Sequence, residues 1–115
     1  MTVTIYHNAR CSKSRATLEL LRARGIEPNI VEYQKTPLDR AAILTLLAQL
    51  GGPAMALVRA GDKDFEKSGL DAISPDPDAV ADALAAHPGL MQRPVVVVGD
   101  KARIGRPPEA VLDLL

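Results

Sequence analysis

The chain has 115 residues, a formal net charge of zero from 14 basic and 14 acidic side chains, and one cysteine. The charge balance excludes a general nucleic-acid binder, which needs a basic surface to displace counterions, and a lone cysteine excludes an internal disulfide framework. No apolar run nears the roughly 20 residues of a membrane span, and the start, MTVTIYHN, lacks the features of a secretory signal. A single cytoplasmic domain over residues 1–115 is expected, with no metal site, because His7, Cys11 and His87 lack zinc-ligand spacing.

Thr2–Tyr6 (TVTIY) is β-branched and aromatic and reads as a short buried strand. From Ser14 the pattern turns helical: Thr17, Leu18 and Leu21 share a face that Leu20 broadens, and Gly25 closes the helix. Asn29–Tyr33 (NIVEY) reads as a second strand, so the opening is a βαβ unit with parallel strands and a right-handed crossover. Asp39 is placed to cap a helix over Arg40–Leu50, whose Ile43, Leu46, Leu47 and Leu50 fall at helical spacing before Gly51-Gly52-Pro53 stops it. Ala54–Pro77 has room for one or two short helices with a loop at Ala60–Asp64. Asp76-Pro77 is an N-cap followed by proline at the first helical position, opening a helix to about His87 that Pro88-Gly89 ends.

RPVVVV from Arg93 is the strongest strand signal. Gly99-Asp100 reads as a tight turn and Lys101–Ile104 as its antiparallel partner, and Pro107-Pro108 opens a last helix over Glu109–Leu115. The order is βαβ, a helical block, then ββα. This is the layout of a thioredoxin-like three-layer α/β fold: a mixed sheet of about four strands, with a helical insertion at about residues 39–90 between the two halves.

Cys11 lies between the first strand and the first helix, in the run Asn8-Ala9-Arg10-Cys11-Ser12-Lys13-Ser14-Arg15. A free cysteine is most often a small buried hydrophobe, but these neighbours are not core residues. At a helix N-terminus, free backbone N–H groups and the positive end of the dipole favour the thiolate, and Arg10, Lys13, Arg15 and His7 add positive potential. The same donors suit an incoming anion. The position of the second cysteine in a Cys-x-x-Cys redox motif is taken by Ser14, so a redox cycle on Cys11 needs an external thiol.

The stretches IYHNARCSKSRATLELL, LVRAGDKDFEKSGL, RPVVVV and GRPPEAVLDLL resemble, in order, the glutaredoxin-linked arsenate reductase family over nearly the whole chain. The resemblance implies that Cys11 attacks arsenate, and that glutathione, as co-substrate, and glutaredoxin complete its two-electron reduction to arsenite, with no bound cofactor. It places Arg59, Arg93 and Arg106 at oxyanion-binding positions, His7, Ser14 and Arg15 at positions supporting the thiolate, and Pro94 at the cis-proline position facing the cysteine. Arginine forks suit a tetrahedral polyanion because they give it paired, charge-assisted hydrogen bonds. The chain departs from the family in carrying Ala9 where a proline often precedes the cysteine.

Two other readings stand beside this one. An Spx-type regulator binding RNA polymerase shares the family, but its usual Cys-x-x-Cys is replaced here by Ser14. A general glutathione-linked thiol reductase is compatible with the monothiol loop, whereas the three arginines favour an oxyanion.

Overall fold

A computed structural model describes residues 2–70 and 75–115. Residues 71–74, within the stretch expected to hold short helices, lie outside the described residues, as does Met1. The chain forms two compact units, one of residues up to Thr36 together with Arg93–Leu115, the other Pro37–Gln92.

The first unit is built on a four-stranded sheet of β1 (Val3–Tyr6), β2 (Asn29–Val31), β3 (Val95–Val98) and β4 (Lys101–Ile104) in the order β2-β1-β3-β4. β1 pairs parallel with β2, Ile5 opposite Ile30, and antiparallel with β3, Ile5 opposite Val96. β3 and β4 form the expected hairpin, and Gly99 at its turn has φ 62°, a conformation that suits glycine. This is the thioredoxin-like α/β arrangement. Helix α1 (Ser12–Ala23) buries Leu18 and Leu21 with Ile5, Val96, Val98 and Val111 in one apolar core. Filling that core supplies about 1.5–3 kcal/mol per large side chain, so truncation at Leu21 is expected to cost about 2–5 kcal/mol.

Several boundaries differ from the sequence reading, including the start of β1 at Val3 rather than Thr2. Helix α1 begins at Ser12 rather than Ser14, because its first turn is polar and has no apolar period to mark it. Strand β2 stops at Val31 rather than Tyr33, where the Glu32 carbonyl accepts the N–H groups of Lys35 and Thr36, both at 2.9 Å, and turns the chain. The last helix is 3₁₀, over Pro108–Leu114, with i→i+3 bonds such as Ala110 N–H to Pro107 C=O at 3.0 Å.

The second unit is helical. Helix α2 (Arg40–Leu50) starts where the Asp39 carboxylate accepts the Ala42 N–H at 2.8 Å. Helix α3 is one turn (Phe65–Ser68), and helix α4 (Pro77–Ala86) is capped by Asp76. Helices α2 and α4 pack together, Ile43 and Leu46 of one and Val80 and Leu84 of the other being buried, and on the surface Arg40 donates to Asp78 at 2.6 Å and Asp82 at 2.7 Å.

Candidate active site

The two extra residues at the start of α1 make Cys11 the N-cap residue, with φ −95° and ψ 123°. Its sulfur makes no tight capping hydrogen bond. The chain before it is nonetheless held firmly. Cys11 N–H donates to the Asn8 carbonyl at 3.0 Å, Arg10 N–H to Asn8 Oδ1 at 2.9 Å, and Asn8 N–H to Ser14 Oγ at 3.0 Å. Ser14 is fully buried and lies 2.6 Å from Nδ1 of His7, which is 6% exposed, while His7 N–H donates to the Val31 carbonyl at 2.8 Å. Arg15 Nη1 donates to the Ala9 carbonyl at 2.8 Å. His7, Ser14 and Arg15 thus shape the loop that presents the sulfur.

Two cations approach the thiol from the end of the hairpin. Arg106 Nη2 lies 3.5 Å from Cys11 Sγ, and the same guanidinium is anchored by its Nε, which donates to the Arg93 carbonyl at 2.9 Å. Partial burial pushes the Cys11 thiol up. The Ser14 and Lys13 N–H groups, a hydrogen bond from the Arg93 side chain and the charge of Arg106 outweigh it and leave the thiol below its ordinary 9.0. His7 is also lowered, first by burial, with Glu32 raising it and Arg22 and Arg15 lowering it further, so its imidazole favours the neutral form.

Pro94 follows Arg93 through a cis peptide bond, and its carbonyl accepts the Gly105 N–H at 2.9 Å. Sequence reasoning assigns Gly105 no role and Thr17 only a place on the buried face of α1. A Cβ at Gly105 would sit 2.6 Å from Thr17 Oγ1 and 2.7 Å from Pro94 Cγ, so only glycine lets the segment before Arg106 close onto α1 and Pro94. The one signal for it was a glycine directly following a strand and preceding a site arginine.

The structure brings Arg93 and Arg106 to Cys11. Arg59 lies in the second unit, where its backbone N–H donates to the Leu90 carbonyl at 2.8 Å and its guanidinium pairs with Asp62 at 3.4 Å. Among the described residues, no group of three or more His, Cys, Asp or Glu is placed to hold a metal ion, and no helix is long and apolar enough to cross a membrane. A thiol drawn toward the thiolate, with two guanidinium groups beside it, is equipped to attack an electrophilic centre that carries negative oxygens.

A family model described as the ArsC family matches residues 6–114. The chain belongs to the ArsC family. Among its ArsC-like relatives, the arsenate reductase of Neisseria meningitidis serogroup A is 42% identical over 95% of this chain and 94% of that protein. The uncharacterized protein YfgD of Escherichia coli K12 is 46% identical over 98% of this chain and 96% of its own length. Among solved structures, the arsenate reductase of Vibrio cholerae superposes with a TM-score of 0.93 at 40% identity, covering 100% of this chain and 98% of that one.

Proposed function

We propose that this ArsC-family chain reduces arsenate to arsenite, with Cys11 as the nucleophile and glutathione and glutaredoxin as the external thiols. The observation that carries the reading is the Cys11 sulfur at the N-cap of α1 with the Arg106 guanidinium 3.5 Å away. The relatives named arsenate reductase, at about the same identity over nearly the full chain, support the choice of oxyanion.

The chemistry follows from the charges. Arsenate and a thiolate repel each other, and the Arg93 and Arg106 guanidinium groups screen that repulsion while binding the oxyanion. The thiolate forms a sulfur–arsenic bond as one oxygen leaves as water, the arginines stabilising the negative charge that develops on the oxygens. Arsenic gains two electrons and two thiols lose them as a disulfide. Cys11 is the chain's one cysteine, so the second thiol comes from another molecule, glutathione in this reading. Glutaredoxin then returns Cys11 to the thiol. A reducing cytoplasm, with its glutathione pool, is the compartment that suits this cycle.

The test is arsenate-dependent NADPH oxidation coupled through glutathione, glutathione reductase and glutaredoxin. Turnover that disappears in Cys11→Ser is the expected result. A folded protein that shows no turnover in the presence of active glutaredoxin refutes the reading. Reduction of glutathionylated substrates under those same conditions would instead identify a thiol reductase.

A further inference from the structure

We infer that the cleft beside the Cys11 loop, between the chain segments that follow β1 and β2, binds the thiol co-substrate, a small peptide thiol bearing two carboxylates and one ammonium, as glutathione does. The inference rests on the reading of Cys11 as a nucleophile that needs an external thiol, and adds where that thiol docks.

The cleft has a volume of about 300 Å³ and is lined by His7, Asn8, Arg10, Glu32, Gln34 and Lys35 among others. That volume is at the lower end for small-molecule sites and more than a single tetrahedral oxyanion fills. One wall is the run Asn8-Ala9-Arg10, which leads directly into Cys11, so a ligand seated there is next to the nucleophile's own loop. The other wall is the turn that ends β2, closed by the Glu32 carbonyl. The hydrogen bonds of Asn8 and of the Glu32 turn hold both walls in place, and His7 is fixed by Ser14 at Nδ1. The site is therefore largely preformed, which reduces the ordering cost of binding.

The charges select the ligand. Arg10 and Lys35 offer two cations and Glu32 one anion, the complement of two carboxylates and one ammonium. Lys35 and Glu32 pair with each other at 3.3 Å, with side chains 76% and 41% exposed. Such a surface pair is weak, so both partners are available to a ligand that offers the opposite charges. Arsenate fits poorly here, because Glu32 repels a polyanion, whereas Arg93 and Arg106 bring positive charge to the Cys11 sulfur itself. Oxyanion and peptide thiol thus have separate sites, the first at the Cys11 sulfur and the second beside the loop that leads into it.

The test uses S-methylglutathione, which retains the three charges but cannot form a disulfide or reduce arsenic. In an NMR titration of the full chain, the expected shifts fall on the amides of Asn8–Arg10 and Glu32–Lys35. The double variant Arg10→Ala/Lys35→Ala, both exposed positions, is expected to weaken S-methylglutathione binding by about tenfold, the equivalent of one charge-assisted hydrogen bond, and to weaken inorganic phosphate binding distinctly less. Shifts centred on Arg93 and Arg106, or equal affinity in the double variant, overturn the inference. If S-methylglutathione maps to the cleft and arsenate is not turned over, the cleft stands and the arsenate reading fails. If arsenate is turned over and S-methylglutathione binds elsewhere, the arsenate reading stands and the cleft assignment fails.

Discussion

Replacing Gly105 by alanine adds one methyl group at the most crowded point behind the site. The new carbon would lie 2.6 Å from Thr17 Oγ1 and 2.7 Å from Pro94 Cγ, both far inside contact distance. Neither neighbour yields easily: Thr17 is fully buried with its hydroxyl donating to the Lys13 carbonyl at 2.9 Å, and the proline ring is rigid. Gly105 is not in the left-handed region, so its backbone conformation is open to alanine and the penalty is steric alone. Overpacking of this kind costs about 1–3 kcal/mol, and the stiffer unfolded chain offsets about 0.4–1 kcal/mol of it. The net loss is about 1–2 kcal/mol, and for a chain of this size that lowers the melting temperature by about 5–10 °C. The strain is relieved by moving the loop, which carries Arg106 away from Cys11, so iodoacetamide reacts more slowly with the thiol at neutral pH. Circular dichroism melts and alkylation rates measure the two effects. Gly61→Ala is the control, since its added carbon meets nothing within 4 Å, and its stability is expected to match or slightly exceed the wild type. A Gly105→Ala protein that melts at or above the wild-type temperature and alkylates at the wild-type rate refutes the reasoning.

Cys11→Ser is expected to abolish reduction while leaving the circular dichroism spectrum unchanged, since the residue is only part-buried in a loop held by other groups. Because the folded thiol is held below its ordinary 9.0, its ionisation stabilises the fold fully above that value, and the contribution is lost as pH falls through the folded value. Urea melts across alkaline pH are therefore expected to show the wild type gaining on Cys11→Ser as pH rises toward 9.0. His7 works in the acid range: its folded value is lowered, chiefly by burial, so the unfolded chain takes up a proton first and stability declines as pH drops below 6.5. His7→Gln is expected to flatten that acid limb, and an unchanged limb would assign it to other groups. Arg93→Ala is expected to weaken phosphate or arsenate binding about tenfold, whereas Arg22→Ala, which removes a surface pair with Glu27 at 2.9 Å, leaves it unaltered; equal effects would show the oxyanion assignment to be wrong.

Helix α2 is legible residue for residue because its signals are local: an aspartate cap, apolar side chains at helical spacing, and a glycine stop. The β3–β4 hairpin is equally plain, from four valines and a Gly-Asp turn. The first two residues of α1 are hidden because Ser12 and Lys13 face solvent and carry no period, so the sequence brings Cys11 to the helix N-terminus without fixing it as the N-cap residue. The last helix reads as helical because proline at its head and the residues after it suit either helix type, and composition does not separate the 3₁₀ form it takes from the α form. The family resemblance put Arg93 and Arg106 beside the cysteine; composition and periodicity did not, since Arg106 and Cys11 are 95 positions apart.

From the sequence alone came most of the elements and the single cysteine on which the proposed reaction rests, because capping, periodicity and residue counts are properties of neighbouring positions. Only the tertiary structure decided that Arg106 hangs from the Arg93 carbonyl to reach the sulfur, that Gly105 must lack a side chain, and that the loops after β1 and β2 enclose a cleft. Those relations depend on strand order and register, which join segments distant along the chain and are set by the shared core rather than by any local signal.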